Sequence, residues 1–332
     1  MSVTAKEIAR QLGVSEATVS FALRGKSGVS TQTTHRVLEA ARALGYDFSR
    51  LNSSARRTGS ICVAYYNKNG IFDNPFFMAL QNGVEAVFKE TTYTLTVAYI
   101  DTAESIRGQL ELLLSKGCDG ILLYATELTR EEYQPFLDLR IPVVLLDCSL
   151  PSPHADCVVI DNEEGAYAAV TYLIRKRHAQ PGYLRYRTRL YNFIQRERGY
   201  LRAIQENGFS ISRCIIHDLY AVNGSFYQEI KELLRSDLPM ASCYFADNDF
   251  IALDALRAFQ EFGYRVPQDI AIIGFDNLAA SARSIPPLTT VNVPKEYMGK
   301  LAAERMLTIL AEKEFHPIKL EVCTDLVKRG SV

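Results

Sequence analysis

The side chains that could carry chemistry are spread along this 332-residue chain, and they form no familiar catalytic motif. There is no GxxxxGK[ST] phosphate loop, no HExxH zinc motif and no GxSxG nucleophile elbow. The five histidines are far apart in sequence. Asp247, Asp249 and Asp276 could gather near a cation, but their predicted positions at strand ends favour binding of hydroxyl groups. We therefore expect no enzyme activity, no cofactor and no metal, and we expect the chemistry of the chain to be recognition.

Charge is distributed unevenly along the chain, although the formal net charge is only −1. Residues 1–60 hold nine Lys or Arg and four Asp or Glu, whereas the rest hold 28 and 34. A basic end on an acidic body suits neutralisation of nucleic-acid phosphates, although a solvated surface would look the same. Seven scattered cysteines without a CxxC pair, a polar N-terminus and no long apolar run predict a cytoplasmic protein with reduced thiols and no membrane contact.

Three short helices are predicted before residue 46. Thr4 and Glu7 have the spacing of a capping box, and Gly13 supplies the left-handed residue that ends the first helix. Ser15 caps a second helix and Ser30 caps a third. Two helices joined by a tight glycine-containing turn are typical of a helix-turn-helix that enters the DNA major groove. The alternative is a three-helix bundle that has no contact with nucleic acid.

The run VTAKEIARQLGVSEATVSFALRGKSGVSTQTTHRVLEAARALGY resembles, along its whole length, the N-terminal domain of the LacI/GalR family of repressors. The resemblance implies that residues 1–46 bind DNA, with hydroxyls at helix N-termini on phosphates and one helix face on base edges. The implied DNA-binding residues in this domain are Ser15, Glu16, Ala17, Thr18, Ser20, Phe21, Arg24, Ser30, Thr33 and Tyr46.

Two of these residues depart from the family pattern. Phe21 replaces a frequent Arg and has no donor for guanine, but its ring could meet a thymine methyl group. Arg24 stands where Asn is common and could supply the missing polar contact. We therefore expect an operator that differs from a typical site of this family.

Residues 47–60 form the predicted linker between the head and the rest of the chain. Family members carry here a hinge helix that wedges a leucine into the minor groove, but either alignment puts Ala55 or Thr58 in that place. Leu51 is the nearest leucine and is out of position. The segment is therefore either a hinge helix or a flexible basic linker. Its predicted DNA contacts are Arg50, Asn52, Arg56 and Arg57.

Residues 61–332 show strands that alternate with helices, which predicts parallel sheets with helices on both faces. The predicted strands are Ile61–Tyr66, Leu95–Ile100, Gly120–Tyr124, Val143–Leu146, Cys157–Ile160, Gly182–Tyr186, Cys214–Ile216, Ala241–Phe245 and Ile270–Phe275. The order of segments resembles the two-lobed core that this family shares with periplasmic sugar-binding proteins. The expected fold is therefore a small all-α head joined to an α/β core of two doubly wound parallel-sheet lobes, 61–160 with 292–318 and 161–291 with 319–332.

The resemblance also implies an effector site between the lobes, where parallel sheets bind ligands at the C-terminal ends of their strands. The matching residues are Phe76, Phe77, Asp147, Arg196, Phe245, Asn248 and Asp276. Carboxylates and a guanidinium suit pairs of sugar hydroxyls, and aromatic rings suit the apolar face of a sugar. The alternatives are that Phe76, Phe77 and Phe245 are core residues, that Asp249 caps a helix and that Asp276 holds a turn. The Arg- and Tyr-rich stretch 183–191 could serve an anionic effector, or it could be a solvated basic surface.

These features predict a homodimeric repressor that binds a pseudo-palindromic double-stranded operator and responds to a small molecule, a sugar or sugar derivative. Segments 75–89 and 294–312 lie where the family's dimer interface forms. The alternatives are a regulator gated by a protein partner, and a sugar-binding protein or an enzyme on the same core.

Overall fold

The computed structural model describes residues 3–23, 28–46, 59–68, 75–150, 155–222, 224–312 and 316–332. Most of the linker, residues 47–58, lies outside this set, so the predictions for Arg50, Leu51, Asn52, Arg56 and Arg57 fall outside the described residues, as does that for Arg24.

The head is a three-helix domain of α1 (Ala5–Leu12), α2 (Glu16–Leu23) and α3 (Thr31–Ala43). The predicted capping box is present, because the Thr4 backbone N–H donates to Glu7 Oε2 at 2.7 Å. Gly13 ends α1 with a φ of 68°, in the left-handed region that glycine adopts without strain. The three helices bury a small core of their own, which contains Ile8, Val19, Leu23, Val37 and their neighbours.

The first lobe, called the N-lobe here, is built on a parallel sheet with the strand order β11-β5-β4-β3-β1-β2. Its strands are β1 (Ser60–Asn67), β2 (Thr94–Asp101), β3 (Gly120–Tyr124), β4 (Val143–Leu146), β5 (Asp156–Ile160) and β11 (Lys319–Val322). Its helices are α4 (Pro75–Phe88), α5 (Ile106–Ser115), α6 (Arg130–Leu137) and α12 (Lys295–Ala311). β3 and β5 are buried throughout, as expected for strands covered by helices on both faces.

The second lobe, called the C-lobe, has the strand order β12-β10-β9-β8-β6-β7. Its strands are β6 (Gly182–Tyr186), β7 (Ile216–Leu219), β8 (Cys243–Ala246), β9 (Ala271–Asp276), β10 (Thr289–Asn292) and β12 (Asp325–Val327). Its helices are α7 (Asn162–Arg177), α8 (Tyr191–Glu206), α9 (Tyr227–Arg235), α10 (Asp249–Glu261) and α11 (Ala279–Arg283). The sheet is parallel except at one edge, where β12 runs antiparallel to β10.

The predicted strands do not include β10, β11 or β12, and further details also differ from the sequence-based expectation. The strand predicted at Cys214–Ile216 begins only at Ile216, because residues 211–213 form a 3-10 turn. The last crossing between lobes was expected near residue 318, but β11 still pairs with β5 of the N-lobe through residue 322. The chain therefore enters the C-lobe between Val322 and Asp325. Residues 319–327 supply β11 to the sheet of the N-lobe and β12 to the sheet of the C-lobe.

Helices α4 and α12 pack against each other through two glycines. A Cβ on Gly83 would lie 1.9 Å from the Glu296 carbonyl oxygen, and one on Gly299 would lie 2.0 Å from that of Leu80. Only glycine allows this close approach of the two backbones. Among the helices of the described ranges, none has the length and apolar character needed to cross a membrane.

Candidate DNA-binding face and interlobe site

The predicted DNA-binding residues of the head lie at the starts of α2 and α3. Ser15 Oγ accepts the Thr18 backbone N–H at 3.0 Å, and Ser30 Oγ accepts that of Thr33 at 3.1 Å. Each serine hydroxyl also pairs with the hydroxyl of the threonine three residues later at 2.8 Å. Both serines thus act as helix caps, as predicted, and they place hydroxyls at exposed helix N-termini where phosphate binding is favourable.

The outer face of α2 is available to a partner. Glu16 and Ala17 are exposed, Thr18 and Ser20 are half-buried, and the Phe21 side chain is 43% exposed although it is apolar. Tyr46 is half-buried against the core of the head. A large exposed apolar side chain on the outer face of the second helix suits contact with a thymine methyl group.

On the N-lobe side of the interlobe site, Asp147 follows β4 with a φ of 60°. Thr126 Oγ1 donates to its Oδ2 at 2.6 Å, and Asn192 Nδ2 on α8 of the C-lobe donates to its Oδ1 at 2.8 Å. Burial raises the pKa of Asp147 to about 7, against the opposing effects of Thr126 and Arg196. Asp147 and Asn192 therefore join the two lobes directly.

On the C-lobe side, the Arg196 guanidinium is buried and its donors point to separate acceptors. Its Nε donates to Asn162 Oδ1 at 2.8 Å, one terminal nitrogen donates to Asp276 Oδ1 at 3.1 Å, and the other donates to the Asp247 carbonyl oxygen. The guanidinium carbon lies 3.7 Å from the centroid of the Phe275 ring. The three acceptors and the Phe275 ring together fix the plane of the Arg196 guanidinium group.

Asp276 ends β9 with a φ of 105° and lies between two cations. Burial raises the pKa of its carboxyl group, and the charges of Arg196 and Lys295 oppose that effect. Lys295, the first residue of α12, donates from Nζ to the Asp276 carbonyl oxygen, and burial lowers the pKa of its ammonium group. A helix of the N-lobe thus begins in contact with the site.

The structure brings together three of the predicted effector residues, Asp147, Arg196 and Asp276, in one network of buried polar groups. It also adds four residues that sequence reasoning missed, namely Thr126, Asn162, Asn192 and Lys295. Asn162 follows the predicted lobe boundary after residue 160, and Lys295 follows the one after residue 291. These boundaries were therefore a usable signal for the two residues. Thr126 and Asn192 stand in no motif.

The other four predicted effector residues are Phe245, Phe76, Phe77 and Asn248. Phe245 is fully buried, with its ring centroid 5.4 Å from that of Tyr183, so the structure places it in the core and not at the cleft surface. Phe76 and Phe77 are also buried, and their ring centroids are 5.2 Å apart in an edge-to-face arrangement. The Lys295 Nζ atom lies 5.8 Å from the Phe76 ring centroid, so Phe76 borders the interlobe network. Asn248 Oδ1 accepts the Ile251 backbone N–H at 3.0 Å and caps α10.

Asp249 does not have the capping role that the sequence suggested, because Asn248 occupies it. Asp249 instead accepts the Leu278 backbone N–H at 2.7 Å and the hydroxyls of Ser281 and Thr290, both at 2.5 Å. Asp247 likewise accepts the Tyr186 backbone N–H at 2.6 Å. These carboxylates are occupied by protein donors, and the described residues contain no group of side chains arranged to hold a metal ion.

The Arg- and Tyr-rich stretch is largely paired within the C-lobe. Arg185 Nε lies 2.7 Å from Asp218 Oδ1, and Arg189 lies 2.6 Å from Glu197. The Arg187 guanidinium lies 4.5 Å from the Tyr220 ring centroid. This arrangement fits the interpretation as a charged surface better than a site for an anionic effector.

A helix-turn-helix head joined to a two-lobed α/β core, with polar side chains gathered between the lobes, defines a DNA-binding regulator of the ligand-responsive kind. Residues 4–48 match the model of bacterial regulatory proteins of the lacI family, and residues 170–332 match a periplasmic binding protein-like domain.

Known proteins resemble the chain along its whole length. The HTH-type transcriptional repressor PurR of Aliivibrio salmonicida is 30% identical over 332 residues, which are 99% of this chain and 98% of that protein. The complex of the transcriptional regulator CelR with cellobiose has a TM-score of 0.74 at 27% identity, covering 99% of this chain and all of that one. A lac repressor dimer bound to operator and the anti-inducer ONPF has a TM-score of 0.71 at 21% identity, covering 100% and 99%, which shows the shared fold.

The chain belongs to the lacI family of bacterial regulatory proteins. Membership confirms the predictions of the family, of the fold class and of a DNA-binding transcription regulator that responds to a small molecule. It also confirms that the protein is a regulator and not an enzyme. The roles of individual site residues stay predictions.

Proposed function

We propose that this protein is a cytoplasmic repressor that binds a pseudo-palindromic operator as a homodimer and whose affinity for that operator changes when a sugar or sugar derivative enters the interlobe site. The observation that carries the ligand part is the arrangement of Asp147, Arg196 and Asp276. Two carboxylates and a guanidinium from three distant parts of the chain meet between the lobes.

The chemistry of these three groups favours a polyhydroxylated ligand. Carboxylates accept hydrogen bonds from hydroxyl groups, and the guanidinium donates in a fixed plane, so vicinal hydroxyls can be held in pairs. A ligand hydroxyl would replace the Asn192 amide at Asp147 Oδ1 and would couple the lobes through the ligand. The related regulator CelR is in complex with a sugar, cellobiose, which is consistent with this class.

A dimer provides the two-fold symmetry that a palindromic operator requires. Four large side chains on the α4, β2 and α12 side of the N-lobe are more than half exposed, namely Met78, Val97, Tyr99 and Tyr297. Burial of such a patch against a second copy would remove its apolar surface from water. Sedimentation velocity should give a dimer, and a strictly monomeric wild-type protein would contradict this part of the proposal.

Titration calorimetry with a panel of sugars, sugar derivatives and purine bases tests the ligand. We expect heat from a sugar with the wild type and no heat with Arg196→Lys, which keeps the charge but loses the planar fork. Arg189→Ala is the matched control, because this arginine is paired with Glu197 at the surface. Heat only from a purine base would contradict the sugar class, and no heat from any compound would favour gating by a protein partner.

Selection of bound genomic fragments, followed by a gel shift, tests operator binding. We expect a fragment with an inverted repeat to shift at nanomolar protein and to respond to the compound found by calorimetry. If no fragment competes with bulk DNA, sequence-specific repression is ruled out.

A further inference from the structure

We propose that the head is held on the N-lobe of its own chain by an ion pair between Arg42 and Glu111, which orients the reading face before DNA is met. Arg42 lies in the last turn of α3, and Glu111 lies on α5. The Arg42 Nε and Glu111 Oε2 atoms are 2.5 Å apart. The two residues are 69 positions apart in the chain, so the contact joins two separately folded units.

The surface of α5 is shaped to accept the arginine. Gly108 lies beneath the guanidinium, and a Cβ at this position would be 3.1 Å from an Arg42 terminal nitrogen. A residue with a Cβ at this position would require the guanidinium to shift by a few tenths of an ångström. The Glu111 side chain is 13% exposed and that of Arg42 is 41% exposed, so the acidic partner is the more enclosed of the two.

A cavity lies beside this ion pair. This cavity of about 450 Å³ lies between the head and the N-lobe, lined by Arg42, Gly45 and Tyr46 on one side and by α5 and the end of α6 on the other. The Arg42–Glu111 ion pair contributes charge attraction to the contact between the head and the N-lobe. This attraction should weaken as salt screens it.

The docked orientation leaves the DNA-binding face uncovered. The C-terminal end of α3 faces the N-lobe, whereas Glu16, Ala17 and Phe21 on α2 stay exposed. The contact is therefore compatible with DNA binding. A head that is already oriented loses less rotational freedom when it meets the operator, so docking should increase operator affinity.

Time-resolved fluorescence anisotropy of the full chain, with a dye on the head, tests the docking itself. A cysteine at the exposed position Gln32 carries the dye, in a background in which the exposed Cys323 and the half-buried Cys214 are replaced by serine. We expect the wild-type head to rotate with the core and Glu111→Ala to add a fast component of nanosecond decay. The charge swap Arg42→Glu with Glu111→Arg should remove that component.

Operator affinity tests the consequence, and this arm rests on the proposed DNA binding. Removal of an acidic side chain near DNA would by itself strengthen binding to a polyanion. Loss of docking acts in the opposite direction, and we expect Glu111→Ala to bind about threefold more weakly, the size of one partly exposed ion pair. Glu39→Ala is the matched control, because it also removes one acidic side chain, an exposed glutamate that lies on α3 next to His35.

The outcomes separate cleanly. A fast component already present in the wild type at low salt, or its persistence in the charge swap, would overturn the docking. Unchanged or tighter operator binding by Glu111→Ala would overturn its role in affinity. A wild type that binds no operator would contradict the proposed function instead, because the anisotropy experiment needs no DNA.

Discussion

The head and the interlobe site hold their polar groups in opposite ways. In the head, Ser15 bonds Thr18 and Ser30 bonds Thr33, three residues apart, with the hydroxyls at the surface. Between the lobes, Asn192 bonds Asp147 across 45 positions and Arg196 bonds Asp276 across 80, with the groups buried.

This difference has a physical consequence for each region. In the head, local hydrogen bonds cap helices that pack around a small apolar core, and the capping hydroxyls stay at the surface. The interlobe network exists only when both lobes are folded, and within it the polar groups satisfy one another's hydrogen bonds. Changes in the head should therefore alter DNA binding with little effect on stability, whereas changes between the lobes should alter stability strongly.

The largest effect is expected from Arg196→Ala. The change removes one of the two cations beside the buried Asp276 carboxylate, and loss of one partner of a buried pair costs about 3–5 kcal/mol. Urea unfolding followed by circular dichroism measures the free energy of unfolding. Arg189→Ala, whose arginine is half exposed, should cost less than about 1 kcal/mol. Equal losses in the two variants would show that the interlobe network contributes no special stability.

The next effect is a pH dependence that Asp147 contributes. Its pKa in the folded protein is about 7, above the ordinary value of 3.8, so the folded state keeps the proton to higher pH than the unfolded state. The stability from this group is complete below pH 4 and is lost as the pH rises towards 7.

Asp147→Asn removes this titration. The free energy of unfolding of the variant should therefore fall less steeply with pH than that of the wild type. The difference in slope should be at most about 1.4 kcal/mol per pH unit, which corresponds to one proton. Urea unfolding of both proteins between pH 4.5 and 7.5 measures the two slopes. A slope remains in the variant because burial also raises the pKa values of Asp247 and Asp249 to about 7. Parallel curves would mean that Asp147 is already ionised across this range.

A smaller effect is expected from Phe21→Ala on the head. Loss of the contact between the ring and a thymine methyl group should weaken specific binding by about 1 kcal/mol. Binding to non-operator DNA and the salt dependence should not change, because no phosphate contact is removed. Competition gel shifts at two salt concentrations measure both quantities. An equal loss on specific and non-specific DNA would assign Phe21 to packing and not to base recognition.

The smallest effect is expected from Leu51→Ala in the linker. If residues 47–60 form a basic linker without a minor-groove wedge, the operator is only weakly bent and the substitution does not change the bend. Permutation electrophoresis of the operator complex measures the angle. A strong bend that disappears in Leu51→Ala would establish a hinge helix instead.

The sequence predicts the fold well where the pattern is local. β3 and β4 have the predicted bounds, because short apolar runs between turns are typical of buried parallel strands. β12 was missed, because three residues with a charged start give no period. The resemblance pointed to Arg196, Asp147 and Asp276, which the structure brings into one network, but Asn192 could not be found because its partner is fixed only by the folded lobes. The burial of Phe245 could not be predicted, because position along a strand does not determine which side chains are enclosed.

Helix α12 begins at Lys295 in the interlobe site, carries the exposed Tyr297 two residues later, and is locked to α4 through Gly299. The proposed ligand site and the proposed dimer surface are therefore separated by less than one helical turn. Substitutions in this turn can change how strongly, or in which direction, ligand binding alters operator affinity. The groups that recognise the ligand and the operator can stay the same. Paralogues that share an effector but differ in whether it releases or recruits them to DNA would differ first at these positions.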